Sequence, residues 1–133
     1  IEEEKNITEW DTIDVPSCWQ ARGYEKPYYT NLQYPYPVDP PYVPDANSLG
    51  IYEREFQIED IEKLHYIVFE GVSSNLELFV NGNYVGYSQG SHLQAEFDIT
   101  EYVNKGINKV LLSLFNSILL LFNNYNRNIR LKM

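Results

Sequence analysis

Cysteine, histidine and basic side chains are the scarce components of this 133-residue chain. A single cysteine, Cys18, excludes an internal disulfide. The only histidines, His65 and His92, lie 27 positions apart, so no Cys/His spacing suits a structural zinc site. Ten Lys and Arg against nineteen Asp and Glu leave a formal net charge of −9. A nucleic acid or an anionic membrane surface needs a clustered basic face, so neither is an expected partner. The longest apolar stretch, from Val110 to Phe122, is interrupted by Ser113, Asn116 and Ser117 and falls short of the roughly twenty residues that span a bilayer. The opening Ile1-Glu2-Glu3-Glu4 is acidic and does not read as a secretory signal; without an initiating Met, the chain is expected to begin inside a longer polypeptide. A cytoplasmic location is the simplest expectation.

What is present is a globular composition, 44% hydrophobic and 22% charged, with twelve Tyr, six Phe and two Trp. Such rings favour strands and half-buried surfaces over helices. All seven prolines lie between Pro16 and Pro44, and they predict an extended segment from Pro27 to Pro44. Its rings (Tyr28, Tyr29, Tyr34, Tyr36, Tyr42) either cover a sheet edge or line a ligand surface. Strands are predicted at Gly50 to Gln57, Tyr66 to Phe69, Leu76 to Val80, Ala95 to Ile99 and Lys109 to Phe115. Asn81-Gly82, between Val80 and Tyr84-Val85, predicts a hairpin, since a type I′ turn needs positive φ at both central residues. Short strands at near-regular spacing without an amphipathic helix predict an all-β sandwich or barrel.

No self-contained active site is legible. Ser17-Cys18 lacks the context of a nucleophile elbow, and Cys18 reads as a small buried residue. Gly82, Gly86 and Gly90 recur every four residues, but on a hairpin without a following helix or Lys, which excludes a phosphate loop. Glu53 with Glu55, and Glu96 with Asp98, share strand faces that read as solvated. His65 and His92 read as surface or capping residues.

Specific words in the sequence carry more. Ile13-Asp-Val-Pro-Ser-Cys-Trp-Gln20, Tyr29-Thr-Asn31, Tyr34-Pro-Tyr-Pro37, Asp39-Pro-Pro-Tyr-Val-Pro44, Phe69-Glu-Gly-Val-Ser-Ser74, Val80-Asn-Gly82, Val85-Gly-Tyr-Ser-Gln-Gly-Ser91 and Ala95-Glu-Phe-Asp-Ile-Thr100 follow in order. From about Trp10 to Leu112 this string resembles the N-terminal sugar-binding domain of lac-type β-galactosidases of glycoside hydrolase family 2. The resemblance implies a jelly-roll β-sandwich over residues 1–115 whose proline-tyrosine loop reaches toward the active site of a central (β/α)₈ barrel. It implies that Asn31 hydrogen-bonds the galactosyl group, with Tyr29, Trp19 and Tyr34 as candidate supporting residues; sugar stacking and loop packing both remain open for these rings. The family's acid/base and nucleophile carboxylates belong to the barrel, so no catalytic residue is expected here. The Mg²⁺ and Na⁺ that the family uses are likewise expected in the parent enzyme and not on this chain. Implied partners are a galactoside such as lactose, the rest of the parent, and further copies of the parent in a homo-oligomer. A free-standing carbohydrate-binding module and a non-sugar interaction domain are the alternatives, since fold alone decides nothing.

Residues 116–133 depart from the family. Where it has Trp-Ser-Asp-Gly and an acidic run, whose Asp ligates sodium, this chain reads Asn116-Ser-Ile-Leu-Leu-Leu-Phe-Asn-Asn124. Five of these last eighteen residues are Asn, and none is Asp, Glu, Gly or Pro. The run Ile118-Leu-Leu-Leu-Phe122 reads as a buried strand with a disordered end or as an aggregation liability, and the tail as a whole as the mark of a frameshifted or truncated gene, with an unpaired sheet edge that promotes self-association.

Overall fold

The computed structural model describes residues 10–26, 49–72, 75–115, 120–121 and 129–132. Among the described residues are ten strands in chain order: β1 (Asp11–Ile13), β2 (Leu49–Ile58), β3 (Tyr66–Phe69), β4 (Gly71–Val72), β5 (Asn75–Val80), β6 (Asn83–Gln89), β7 (Ala95–Asp98), β8 (Gly106–Phe115), β9 (Leu120–Leu121) and β10 (Ile129–Lys132). The only helical pieces among the described residues are single 3₁₀ turns at Trp19–Arg22 and Thr100–Tyr102. The strands form a six-stranded sheet in the order β1-β10-β2-β8-β5-β6, and two pairs, β3-β7 and β4-β9. Every pairing is antiparallel. The all-β sandwich predicted from the sequence is the architecture found.

Alternation builds the core. In β5, Leu76, Leu78 and Val80 are buried while Asn75, Glu77 and Phe79 point to the other face. In β8, Leu112 and Leu114 are buried beside them, at register positions opposite Leu78 and Leu76. Tyr52 of β2 and Ile13 of β1 belong to the same core, as do Phe69 and Val72 from the small pairs and Ile99 just after β7. Phe97 of β7 meets Phe69 edge to face, with ring centroids 6.0 Å apart. Its ring also lies on the backbone of Gly86 in β6, where an added Cβ would stand 2.8 Å from it. That glycine admits the aromatic ring, which is why it sits inside a strand.

The β5–β6 hairpin turns at Asn81-Gly82, with φ of 51° and 82°. Both values are positive, as the sequence required. Asn81 also ties the hairpin to β8. Its Nδ2 donates to the Tyr102 carbonyl and to Asn108 Oδ1, both at 2.8 Å, and its Oδ1 accepts from the Lys109 amide at 2.9 Å. Asn108, only 1% exposed, is satisfied in turn by Asn104 and the Gly106 carbonyl. A buried amide is tolerated only when so paired.

After residue 115 the described residues include two short strands, β9 and β10. β9 pairs with β4, and β10 occupies the position between β1 and β2. Among the described residues, the outermost strands of the large sheet are β1 and β6.

Candidate functional site

The sequence points to residues 10–50 as the region that meets a sugar. Of the four candidates there, Asn31, Tyr29 and Tyr34 lie outside the described residues; Trp19 lies within them. Trp19 opens the 3₁₀ turn Trp19–Arg22 that precedes the proline-tyrosine segment, and it is 1% exposed. Its indole stacks on Tyr52, with centroids 6.4 Å apart and planes 20° from parallel. Beneath it lies Gly50 of β2, the first strand after that segment, where an added Cβ would overlap the six-membered ring. The ring is thus packed into the core, 1% exposed, and of the two roles left open for Trp19 the packing role is the one its surroundings display.

The polar edge of the same ring organises the chain leaving the turn. Trp19 Nε1 donates to Glu25 Oε2 at 2.8 Å, and Gln20 Nε2 donates to the same oxygen at 2.7 Å. The Cys18 thiol donates to Gln20 Oε1 at 2.6 Å. Gly23, at φ 87°, closes the turn with its amide on the Gln20 carbonyl, and the Tyr24 amide bonds the Trp19 carbonyl. A left-handed residue after a helical turn is where glycine is favoured. Loss of hydration and a hydrogen bond to the Asp11 carboxylate raise the Tyr24 phenol above its ordinary pKa. Trp19 therefore ties the residues entering the 27–48 segment to Gly50, which leaves it. Glu25 and Gly50 are the partners that sequence reasoning missed. The Trp-Gln pair followed within six residues by a Glu was a usable local signal for the first; the second is a contact between strands distant in sequence.

Two hydroxyls near this anchor, Ser17 Oγ and Tyr52 OH, are buried without a hydrogen-bond partner among the described residues. Burial, followed by the neighbouring Cys18 and Tyr24, drives the Tyr52 phenol far above its usual pKa. It stays protonated at any physiological pH.

The remaining chemical candidates are engaged structurally. Glu53 pairs with Lys109 at 3.1 Å. Asp98 accepts from the Thr100 amide at 2.9 Å; the Thr100 side chain and then its amide hold the carboxyl below the ordinary range. His65 Nε2 is 2.8 Å from the Asp60 carbonyl, and His92 is exposed. Among the described residues no group of three or more His, Cys, Asp or Glu is arranged to hold a metal ion. The position where the resemblance implies a sodium-ligating Asp is in the Asn116-Ser-Ile stretch, which offers no carboxylate. These residues do not fit a metal centre. No helix among the described residues is long and apolar enough to cross a membrane.

The family model described as "Glycosyl hydrolases family 2, sugar binding domain" matches residues 2–119. The chain belongs to this family. A beta-galactosidase of Alteromonas mediterranea is 48% identical over 103 residues, which cover 76% of this chain and 10% of that protein. A beta-galactosidase of Vibrio vulnificus is 48% identical over 105 residues, 77% of this chain and 10% of the relative. The chain thus spans about a tenth of the length of the curated relatives it matches. Among solved structures, a glycosyl hydrolase family 2 member from Bacteroides cellulosilyticus superposes with a TM-score of 0.50 at 25% identity, over 63% of this chain and 12% of that one. An FMN-binding beta-glucuronidase from Facaelibacterium prausnitzii L2-6 reaches a TM-score of 0.58 over 95% of this chain and 21% of its own, at 15% identity, a likeness of fold alone. In this glycosyl hydrolase family 2 sugar-binding domain, the Trp19 anchor lies within the residues that the family model matches.

Proposed function

We propose that this domain serves a retaining β-galactosidase that hydrolyses terminal β-D-galactosides such as lactose, and that it contributes galactoside contact without supplying the catalytic carboxylates. The observation that carries the reading is the 48% identity to a beta-galactosidase over 103 residues, a stretch that is a tenth of the relative's length. The chemistry is divided accordingly. Retaining hydrolysis needs an acid/base and a nucleophile whose carboxyls are about 5–5.5 Å apart, and these belong to the parent's central barrel. The parent's Mg²⁺ and Na⁺ act with that barrel, and no residue of this chain is assigned to either.

Asn31 is the residue through which the domain meets the sugar. An amide offers both a donor and an acceptor, which suits vicinal hydroxyls. A contact residue on a loop whose ends are fixed loses less conformational freedom on binding. The Trp19–Gly50 contact and the Trp19–Glu25 hydrogen bond support this reading, because they fasten both ends of the segment that carries Asn31. Tyr29 and Tyr34 flank it in sequence, and Trp19 acts as an anchor for the residues on either side of the segment. The parent is a cytoplasmic homo-oligomer in this reading.

The test is a chimera in which residues 10–115 replace the matching stretch of the Vibrio vulnificus beta-galactosidase. Hydrolysis of a chromogenic β-galactoside at a rate close to the host's is the expected result. A chimera that assembles like its host yet hydrolyses nothing counts against the proposal. Saturable millimolar or tighter lactose binding by the isolated chain, followed by Tyr and Trp fluorescence, supports a free-standing binding module instead.

A further inference from the structure

We propose that Asn81 is a spontaneous deamidation site that the folded hairpin holds closed, so that each opening of this end of the sandwich carries a risk of irreversible damage. Asn81-Gly82 is the only Asn-Gly dipeptide in the sequence. In a flexible chain this dipeptide cyclises readily, because glycine has no Cβ to shield its amide nitrogen. The Gly82 nitrogen loses its proton to solvent base and attacks Asn81 Cγ. The N–Cγ bond forms, the Cγ–Nδ2 bond breaks, and the nitrogen leaves as ammonia after taking up a proton from solvent. Water then opens the succinimide at either carbonyl and leaves aspartate or isoaspartate.

The native turn opposes the first step. Attack requires the carboxamide to swing toward the Gly82 nitrogen, and all three of its hydrogen bonds point elsewhere. Nδ2 is held by the Tyr102 carbonyl and Asn108 Oδ1, and Oδ1 by the Lys109 amide. The Asn81 backbone amide is fixed as well, donating to the Lys109 carbonyl at 2.8 Å. The partners come from β8 and the Thr100–Tyr102 turn, so the carboxamide is released only when the hairpin separates from both. Local opening of this kind is a fractional population, and the reaction rate falls in proportion to it.

The products do not fit the site that the amide leaves. Aspartate puts an oxygen where Nδ2 stood, facing two acceptors, the Tyr102 carbonyl and Asn108 Oδ1. It also deprives the buried Asn108 of one of its donors. Isoaspartate adds a methylene to the main chain of a two-residue turn, which breaks the Val80–Asn83 register. A molecule that reacts while open therefore cannot rebuild the native hairpin end.

The test incubates the full chain in mildly alkaline buffer, native and in urea, and follows the Asn81 peptide by mass spectrometry and by isoaspartyl methyltransferase labelling. Conversion in urea is expected to be at least about tenfold faster than in the native state, since only opened molecules react. Gly82→Ala in urea is expected to slow it, because a Cβ then shields the attacking nitrogen. Asn108→Ser, which removes one hold on Asn81, is expected to speed native conversion, and Asn81→Asp to lower Tm. Equal rates in native buffer and urea overturn the gating, and absence of conversion at Asn81 in urea overturns the site. An Asn81→Asp variant as stable as the parent overturns the irreversibility.

Discussion

The contact between Trp19 and Gly50 yields a prediction whose sign depends on context. An alanine Cβ at position 50 would fall within 3.0 Å of three atoms of the indole ring, so the ring or strand β2 must move. Overpacking of this kind costs about 1–3 kcal/mol. Trp19→Ala removes a ring that is 1% exposed, together with its hydrogen bond to Glu25, and costs about 3–5 kcal/mol. At roughly 3–5 °C per kcal/mol for a chain of this length, the first change lowers Tm by a few degrees and the second by more than about 10 °C. The informative variant carries both. With the indole gone, the methyl at position 50 enters the space it left, and replacing a strand glycine by alanine then gains about 0.4–1 kcal/mol by restricting the unfolded chain. Gly50→Ala is therefore destabilising when Trp19 is present and neutral or stabilising in the Trp19→Ala background, a coupling of about 1–4 kcal/mol. Urea unfolding of the four proteins, monitored by circular dichroism, measures it. An equal cost for Gly50→Ala in both backgrounds refutes the contact as the reason for the glycine.

Tyr52→Phe is expected to leave stability at neutral pH unchanged or raise it by up to about 1 kcal/mol, because the hydroxyl is buried without a partner. The same variant separates an alkaline effect: with the folded phenol raised, its contribution is present below about pH 10, the unfolded value, and is lost as pH rises beyond it. Urea midpoints of Tyr52→Phe across the alkaline range should therefore fall less steeply than those of the parent. Asp98 behaves oppositely, since its folded carboxyl is lowered; its contribution is present above the unfolded pKa and is lost as pH falls through the folded one, so Asp98→Asn should flatten the acid limb of the stability profile. Asn108→Ala strands the Asn104 amide and the Asn104 and Gly106 carbonyls, and a loss of about 3 kcal/mol is expected in denaturant titration.

Local patterns accounted for the strands that local chemistry dictates. Leu76, Leu78 and Val80 alternate because one face of β5 meets the core, and Asn81-Gly82 turns because both residues carry positive φ. What escaped was decided by contacts between distant residues. Ile129-Arg-Leu-Lys132 is too short to announce a strand, yet β10 fits between β1 and β2, whose pairing needs are invisible from residue 129 alone. Trp19 was ambiguous for a similar reason. An aromatic ring has the same chemistry whether it stacks on a sugar or on a tyrosine, and only Gly50 and Tyr52, beyond the proline-rich segment, show which surface it meets. Asn31 was legible through family resemblance alone, since nothing in its composition or spacing distinguishes a sugar-binding amide from a turn residue.

The most direct measurement is the kinetic effect of Asn31→Ala in the chimera that carries residues 10–115 in a beta-galactosidase host. Losing one ligand hydrogen bond of about 1–2 kcal/mol should lower kcat/KM for a β-galactoside by roughly tenfold, with Tm and assembly unchanged. An Asn31→Ala chimera with the kcat/KM of its parent chimera contradicts the claim that this domain contributes to the galactoside site through Asn31.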